Sequence, residues 1–145
     1  MIDVSVAAVE RLVTRHAGAF SYIGYLADFA ALSDLPRSVP AAYIIPVNEQ
    51  AGADGALDQS VQTHRATFSV VIIVRHAGDA TGAKATLALA ALRETVHAAL
   101  VGWLAPDCAE YTGFVGGELA EMMDGGFVSW RDDFTTSRVV QRAAA

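Results

Sequence analysis

The stretch from Gln62 to Arg75, QTHRATFSVVIIVR, constrains the fold more than any other part of the chain. Its even positions His64, Ala66, Phe68, Val70, Ile72 and Val74 are mostly apolar. Its odd positions start polar at Thr63, Arg65, Thr67 and Ser69 and turn apolar at Val71 and Ile73. Because successive side chains of a strand point to opposite faces, the pattern predicts a strand with one face buried throughout and the other buried only near its end. Such a strand needs paired strands on its flanks and a helix layer on at least one side.

The rest of the chain supplies both. Asp3 or Ser5 can cap a first helix running to about His16, with Val6, Val9, Leu12 and Val13 on one side and Glu10, Arg11, Thr14 and Arg15 on the other. Phe20 to Tyr25 suits a strand, and Leu26 to Leu32 reads as a short helical turn ended by Asp34 and Pro36. A second apolar run, AAYIIPV, follows Pro40, and Pro46 places that strand near an edge or ends it. Asn48 to Gln59 reads as a long polar loop, mobile in the free protein. Asp79 or Thr81 caps the longest helix, about Ala83 to Leu104, whose Leu89, Leu92, Val96, Leu100 and Trp103 recur at helical spacing. Pro106 ends it.

Two strand-like segments then flank Asp124-Gly125-Gly126, a turn signal that predicts a C-terminal β-hairpin within 107–140. Gly116 and Gly117 interrupt its first strand and predict a bulge or bend. The order of elements specifies an α+β fold, a mostly antiparallel sheet with helices packed on one face. A chain of 145 residues with 53% apolar content makes one domain, 1–145, with a real core.

Composition narrows the function. A net charge of −6 argues against specific nucleic-acid binding, which gains affinity by neutralising phosphates with Lys and Arg. No apolar run reaches the roughly 18 to 20 residues of a membrane span. The first residues carry Asp3 and Glu10 instead of a basic region followed by an apolar segment, so a soluble, unsecreted protein with no membrane contact is expected. Cys108 is the only cysteine, which excludes an internal disulfide and a Cys-based zinc site and fits a reducing compartment.

A search for chemistry finds no catalytic, cofactor-binding or metal-ligating set. His16, His64, His76 and His97 fall in separate elements without metal-ligand spacing, and surface or capping roles are expected for them. Asp54 and Asp58 on the loop, with Asp132 and Asp133 on the hairpin, are the remaining acid/base or metal candidates. Adjacent strand residues point to opposite faces, so Asp132 and Asp133 cannot share a site, and solvated charge is the plainer expectation. The glycines at 113, 116 and 117 precede a further strand instead of a helix, which is wrong for phosphate binding. Cys108 lacks a nucleophile motif.

One feature stands out. Between Asp107 and Asp133 lie seven acids, Asp107, Glu110, Glu118, Glu121, Asp124, Asp132 and Asp133, against Arg131 alone, a net of −6 equal to that of the whole chain. Such a surface either aids solubility or must not adhere to DNA.

The succession of VERL at Val9 to Leu12, VPAAYIIPV at Val39 to Val47, FSVVIIVR at Phe68 to Arg75, ALVGW at Ala99 to Trp103, FVGGEL and WRDDFTT resembles the tail-terminator, or tail-completion, proteins of long-tailed bacteriophages and prophages, in the group that includes lambda-type terminators. The resemblance spans nearly the whole chain. It implies a small α+β protein without catalytic residues or cofactors that caps a finished tail tube as a hexameric ring and presents the surface on which the head docks. The implied partners are other copies of itself, the tail tube protein and a head-completion or neck protein. The implied location is the tail and neck of the virion, reached from the host cytoplasm during assembly. Asp54, Asp58, Glu118, Glu121, Asp124, Asp132 and Asp133 are then candidates for a protein interface or the ring lumen. The competing reading is a cytosolic α+β enzyme or small-ligand domain using the His and Asp residues.

Overall fold

The computed structural model describes residues 2–25, 38–52, 59–123 and 125–143. In chain order these form α1 (Val4–His16), a 3-10 turn (Ala17–Ala19), β1 (Tyr22–Gly24), β2 (Ala41–Ala51), β3 (Gln59–Arg75), α2 (Ala83–Leu100), β4 (Gly113–Met123) and β5 (Phe127–Ala143). The strands make one sheet in the order β1-β2-β3-β5-β4. Every pairing is antiparallel except that of β1 with β2. The α+β expectation with a mostly antiparallel sheet holds.

β3 is central, and its alternation decides the layers. Ala66, Phe68, Val70, Ile72 and Val74 are all buried on one face, against Val4, Ala8, Val9 and Leu12 of α1 and Leu89, Val96 and Leu100 of α2. Both described helices therefore lie on the same face. Val71 and Ile73 are buried on the other face in a smaller cluster with Ala41 and Tyr43. The polar odd positions of β3 fall outside that second cluster, with Thr63 and Arg65 exposed.

Several boundaries differ from the sequence expectation. The polar stretch 48–59 is not all loop: β2 runs through Pro46 to Ala51 and β3 begins at Gln59. A bulge between Pro46 and Asn48 absorbs the proline, and backbone pairing with β3 then carries the polar residues as strand down to Ala51 opposite His64. Residues 53–58, which hold Asp54 and Asp58, lie outside the described residues, as do Leu26 to Leu32 and Asp124. β1 keeps only Tyr22–Gly24 of the expected strand. α2 stops at Leu100, four residues early, because Val101 is extended and Gly102 takes φ 80°, a left-handed conformation open to glycine. On α1, Val6 and Val13 are exposed, since the buried stripe runs through Val4, Ala8 and Leu12.

The N-cap position of α2 is Gly82 and not Asp79 or Thr81, but both of those side chains reach amides of its first turn. The Ala83 N–H donates to Thr81 Oγ1 at 3.3 Å and the Ala85 N–H to Asp79 Oδ2 at 3.0 Å. At the hairpin tip Gly126 takes φ 82°. A Cβ there would stand 2.8 Å from the His76 carbonyl oxygen, so only glycine lets the hairpin seat against the chain entering α2.

Candidate functional site

The acidic segment separates into four environments. Asp132 faces the helix layer and is fully buried, which corrects the expectation of solvated charge. Its register position on β5 places it on the same sheet face as Trp130 and Phe134, and α2 crosses above that face. Arg93 Nε donates to Asp132 Oδ2 at 2.9 Å and Arg93 Nη2 to Oδ1 at 3.0 Å, a two-pronged grip. Trp130 Nε1 donates to Oδ1 at 2.8 Å, and His97 Nε2 lies 3.0 Å from Oδ2. Replacing Asp132 with Lys would thus remove the acceptor of this whole network.

Burial alone would raise the Asp132 carboxyl, but hydrogen bonds from Arg93, Trp130 and His97, with the Arg93 charge, outweigh it and hold the group below its ordinary value. Aromatic rings enclose the cluster: the Arg93 guanidinium stands 4.7 Å from the Trp130 ring centre, and the His97 ring lies 4.4 Å from Phe114. A Cβ at Gly117, opposite Asp132 in the β4–β5 ladder, would fall on the carboxylate itself. The bare glycine makes the space the acid occupies. Chemically this is a clamp that ties α2 to the hairpin, with every carboxylate oxygen satisfied.

Arg93 and Trp130 are not singled out by the sequence, and His97, expected at the surface or in a cap, instead lies 3.0 Å from the buried Asp132 carboxylate. Their signal was the i, i+4 spacing of Arg93 and His97 on one side of α2, together with Trp130 two residues before Asp132 on one strand face. The register between α2 and the hairpin, which brings them together, is a tertiary fact.

Asp133 points the other way, as strand alternation requires. It accepts from Arg131 Nε at 2.8 Å and from the Ser69 hydroxyl at 2.5 Å. Glu118 and Glu121 are exposed on β4, and the Asp133 hydrogen bond and the nearby Glu118 charge help hold the Arg131 guanidinium protonated against partial burial. Glu110 sits beside Arg65 at 3.4 Å. Among the other histidines, His64 pairs with Glu49 at 3.4 Å. Among the described residues no three His, Cys, Asp or Glu gather where a metal could bind.

Exposed apolar side chains occur on several elements, and four of them follow one another along a single edge strand. β4 is the outermost strand, and Phe114, Val115, Leu119 and Met122 along it are all exposed, Met122 to 70%. Between β4 and the first half of α2 runs a groove of about 430 Å³ lined by Leu89, Leu119, Met122, Val128 and Trp130 among others. Large exposed apolar patches on an open strand edge mark surfaces that meet another chain.

The fold is similar to that of a solved chain from the virion of a native gene transfer agent particle, at a TM-score of 0.55 and 17% identity over 94% of both chains. A second solved chain aligns at a TM-score of 0.41 and 13% identity, over 99% of this chain and 96% of its own. No curated protein matches. The profile of the phage tail terminator protein family matches residues 1–144, and this chain belongs to that family. It is a structural protein of the phage tail.

Proposed function

We propose that this protein ends a completed tail tube as a ring of six copies and offers the surface on which the head joins. Family membership supports the location, and the open apolar edge at β4 is the observation that supports a chain-to-chain contact. Its partners are then further copies of itself, the tail tube protein and a neck protein, met in the host cytoplasm during assembly. Its role is architectural and not catalytic. A ring needs a heterologous contact, one patch of each subunit meeting a different patch of the next.

Glu118 and Glu121, together with Asp54, Asp58, Asp124 and Asp133, border the subunit contact or the lumen in this reading. A lumen edged by carboxylates lets DNA pass without the Lys and Arg contacts that would retain it. Asp132 is left out because its carboxylate is enclosed within the subunit.

The test mixes purified protein with tails that lack their terminal ring and images the tail ends by electron microscopy. Six-fold caps are expected, with no measurable affinity for duplex DNA at physiological salt. Caps of other symmetry, uncapped tails, or tight salt-sensitive DNA binding would remove the reading.

A further inference from the structure

The two edges of the sheet are protected unequally. β1 is only three residues long, whereas β4 presents eleven residues and has no Pro or Lys to discourage pairing. Its protection is of another kind. Two register shifts bend it, and its only charges, Glu118 and Glu121, are both negative. Two copies meeting β4 to β4 would set acid against acid, so the chemistry disfavours a two-fold contact and favours a basic, apolar visitor.

The same chain carries such a segment. Below the last β2 contact, where the Gly52 N–H donates to the Thr63 carbonyl at 2.8 Å, β3 and β5 continue as a pair through Gln59 opposite Ala143. Residues 59–62 with 140–143 form a tongue, in which Val61, Gln62, Val140, Gln141 and Arg142 belong to neither buried cluster. Residues 135–143 contain Arg138 and Arg142 and no acid. Val139 is 54% exposed, and Arg142 is exposed with no ion pair among the described residues. Glu121 on β4 is likewise exposed and unpaired among them.

We propose that the tongue of one copy lies along the β4 edge and the α2–β4 groove of a second copy, with Val139 against Leu119 and Met122 on one face and Arg142, on the opposite face, beside Glu121. The two patches occupy different parts of the subunit, so the contact is heterologous and each copy both gives and receives a tongue. The inference rests on the ring reading and names the surfaces that build it.

The test uses two charge reversals in the full chain, Arg142→Glu and Glu121→Arg. Each alone should lower the fraction of capped tails roughly tenfold at a concentration where the wild type caps them fully, because a like-charge pair replaces an attractive one. An equimolar mixture should recover capping, since a ring alternating the two variants restores an opposite pair at every junction. Circular dichroism and melting of each variant confirm folding, and should one fail, Arg142→Gln and Glu121→Gln repeat the comparison with smaller losses. Variants that cap like the wild type, or a mixture no better than its components, would overturn the pairing. So would Glu121→Arg rings that form normally in solution yet fail to seat on tails, because β4 would then face the tube. A wild type that forms no rings on tails removes the ring reading itself and is distinguishable from all of these.

Discussion

At one end the β3–β5 ladder pairs Ile72 with Trp130 and Val70 with Asp132 beneath two helices, whereas at the other it pairs Gln62 with Val140, both outside the buried clusters. The backbone hydrogen-bond pattern is continuous between them. What changes is the company of the side chains: Val70, Ile72 and Phe134 are removed from water, and Val139 is not. Ladder hydrogen bonds contribute little net stability when water competes for the same groups, while apolar burial contributes about 25 cal/mol per Å². One strand pair can therefore be rigid core at one end and adaptable surface at the other.

The comparison can be broken most violently at Ile72. Ile72→Asp buries an unpaired charge between Ala42 and Trp130, a cost of several kcal/mol against a total stability of roughly 5 to 15 kcal/mol. We expect insoluble or non-cooperatively unfolding protein. A soluble variant with a sharp urea transition would show that the helix-covered end is not the core.

Next in size is Asp132→Asn, which leaves the Arg93 guanidinium, 30% exposed, facing a neutral group, at about 1 to 3 kcal/mol. The same variant carries a pH signature. Asp132 is held below its ordinary value in the folded state, so its stabilisation is fully present above the unfolded value of about 3.9 and is lost as pH falls through the lower folded value. Urea unfolding between pH 7 and pH 3 should show a shallower acid loss in Asp132→Asn than in wild type. Superimposable acid limbs would mean the clamp does not contribute.

The smallest effect is expected at the tongue. Val139→Thr should alter stability by less than about 0.5 kcal/mol, since an exposed side chain has few contacts to lose. Hydrogen exchange sharpens the contrast: amides of residues 59–62 and 140–143 should exchange far faster in the free subunit than those of 70–74. Equal protection at the two ends would abolish the gradient.

Much of this architecture was readable from residue order. The alternation of β3 announced a central strand with unequal faces, and the Asp-Gly-Gly run announced the hairpin, because both signals are local and periodic. The extension of β2 through Asn48, Glu49 and Gln50 was not legible. Those residues have poor strand propensity and are held by pairing with residues 65–67, which composition does not encode. Asp132 failed for a related reason: WRDDFTT gives its face but not the helix above it, and only Arg93 and His97 arriving from α2 turn a buried acid into a stable one. The surface charge at Glu118 and Glu121 needed no such partner, and both side chains are exposed on β4.

The pairing of β3 with β5 also sets a timetable. β3 is complete at Arg75, but the strand that closes its open side begins only at Phe127 and ends at Ala143. At about 5 to 20 residues per second of synthesis, the apolar run 70–74 waits for roughly 3 to 11 seconds before its partners at 128–132 exist. During that interval α1, β2 and then α2 are the described neighbours already made, so the nascent chain depends on them to shield a strand prone to sticking. Slow emergence of the C-terminal strand, or truncation before it, should direct this protein to chaperones and not to tails.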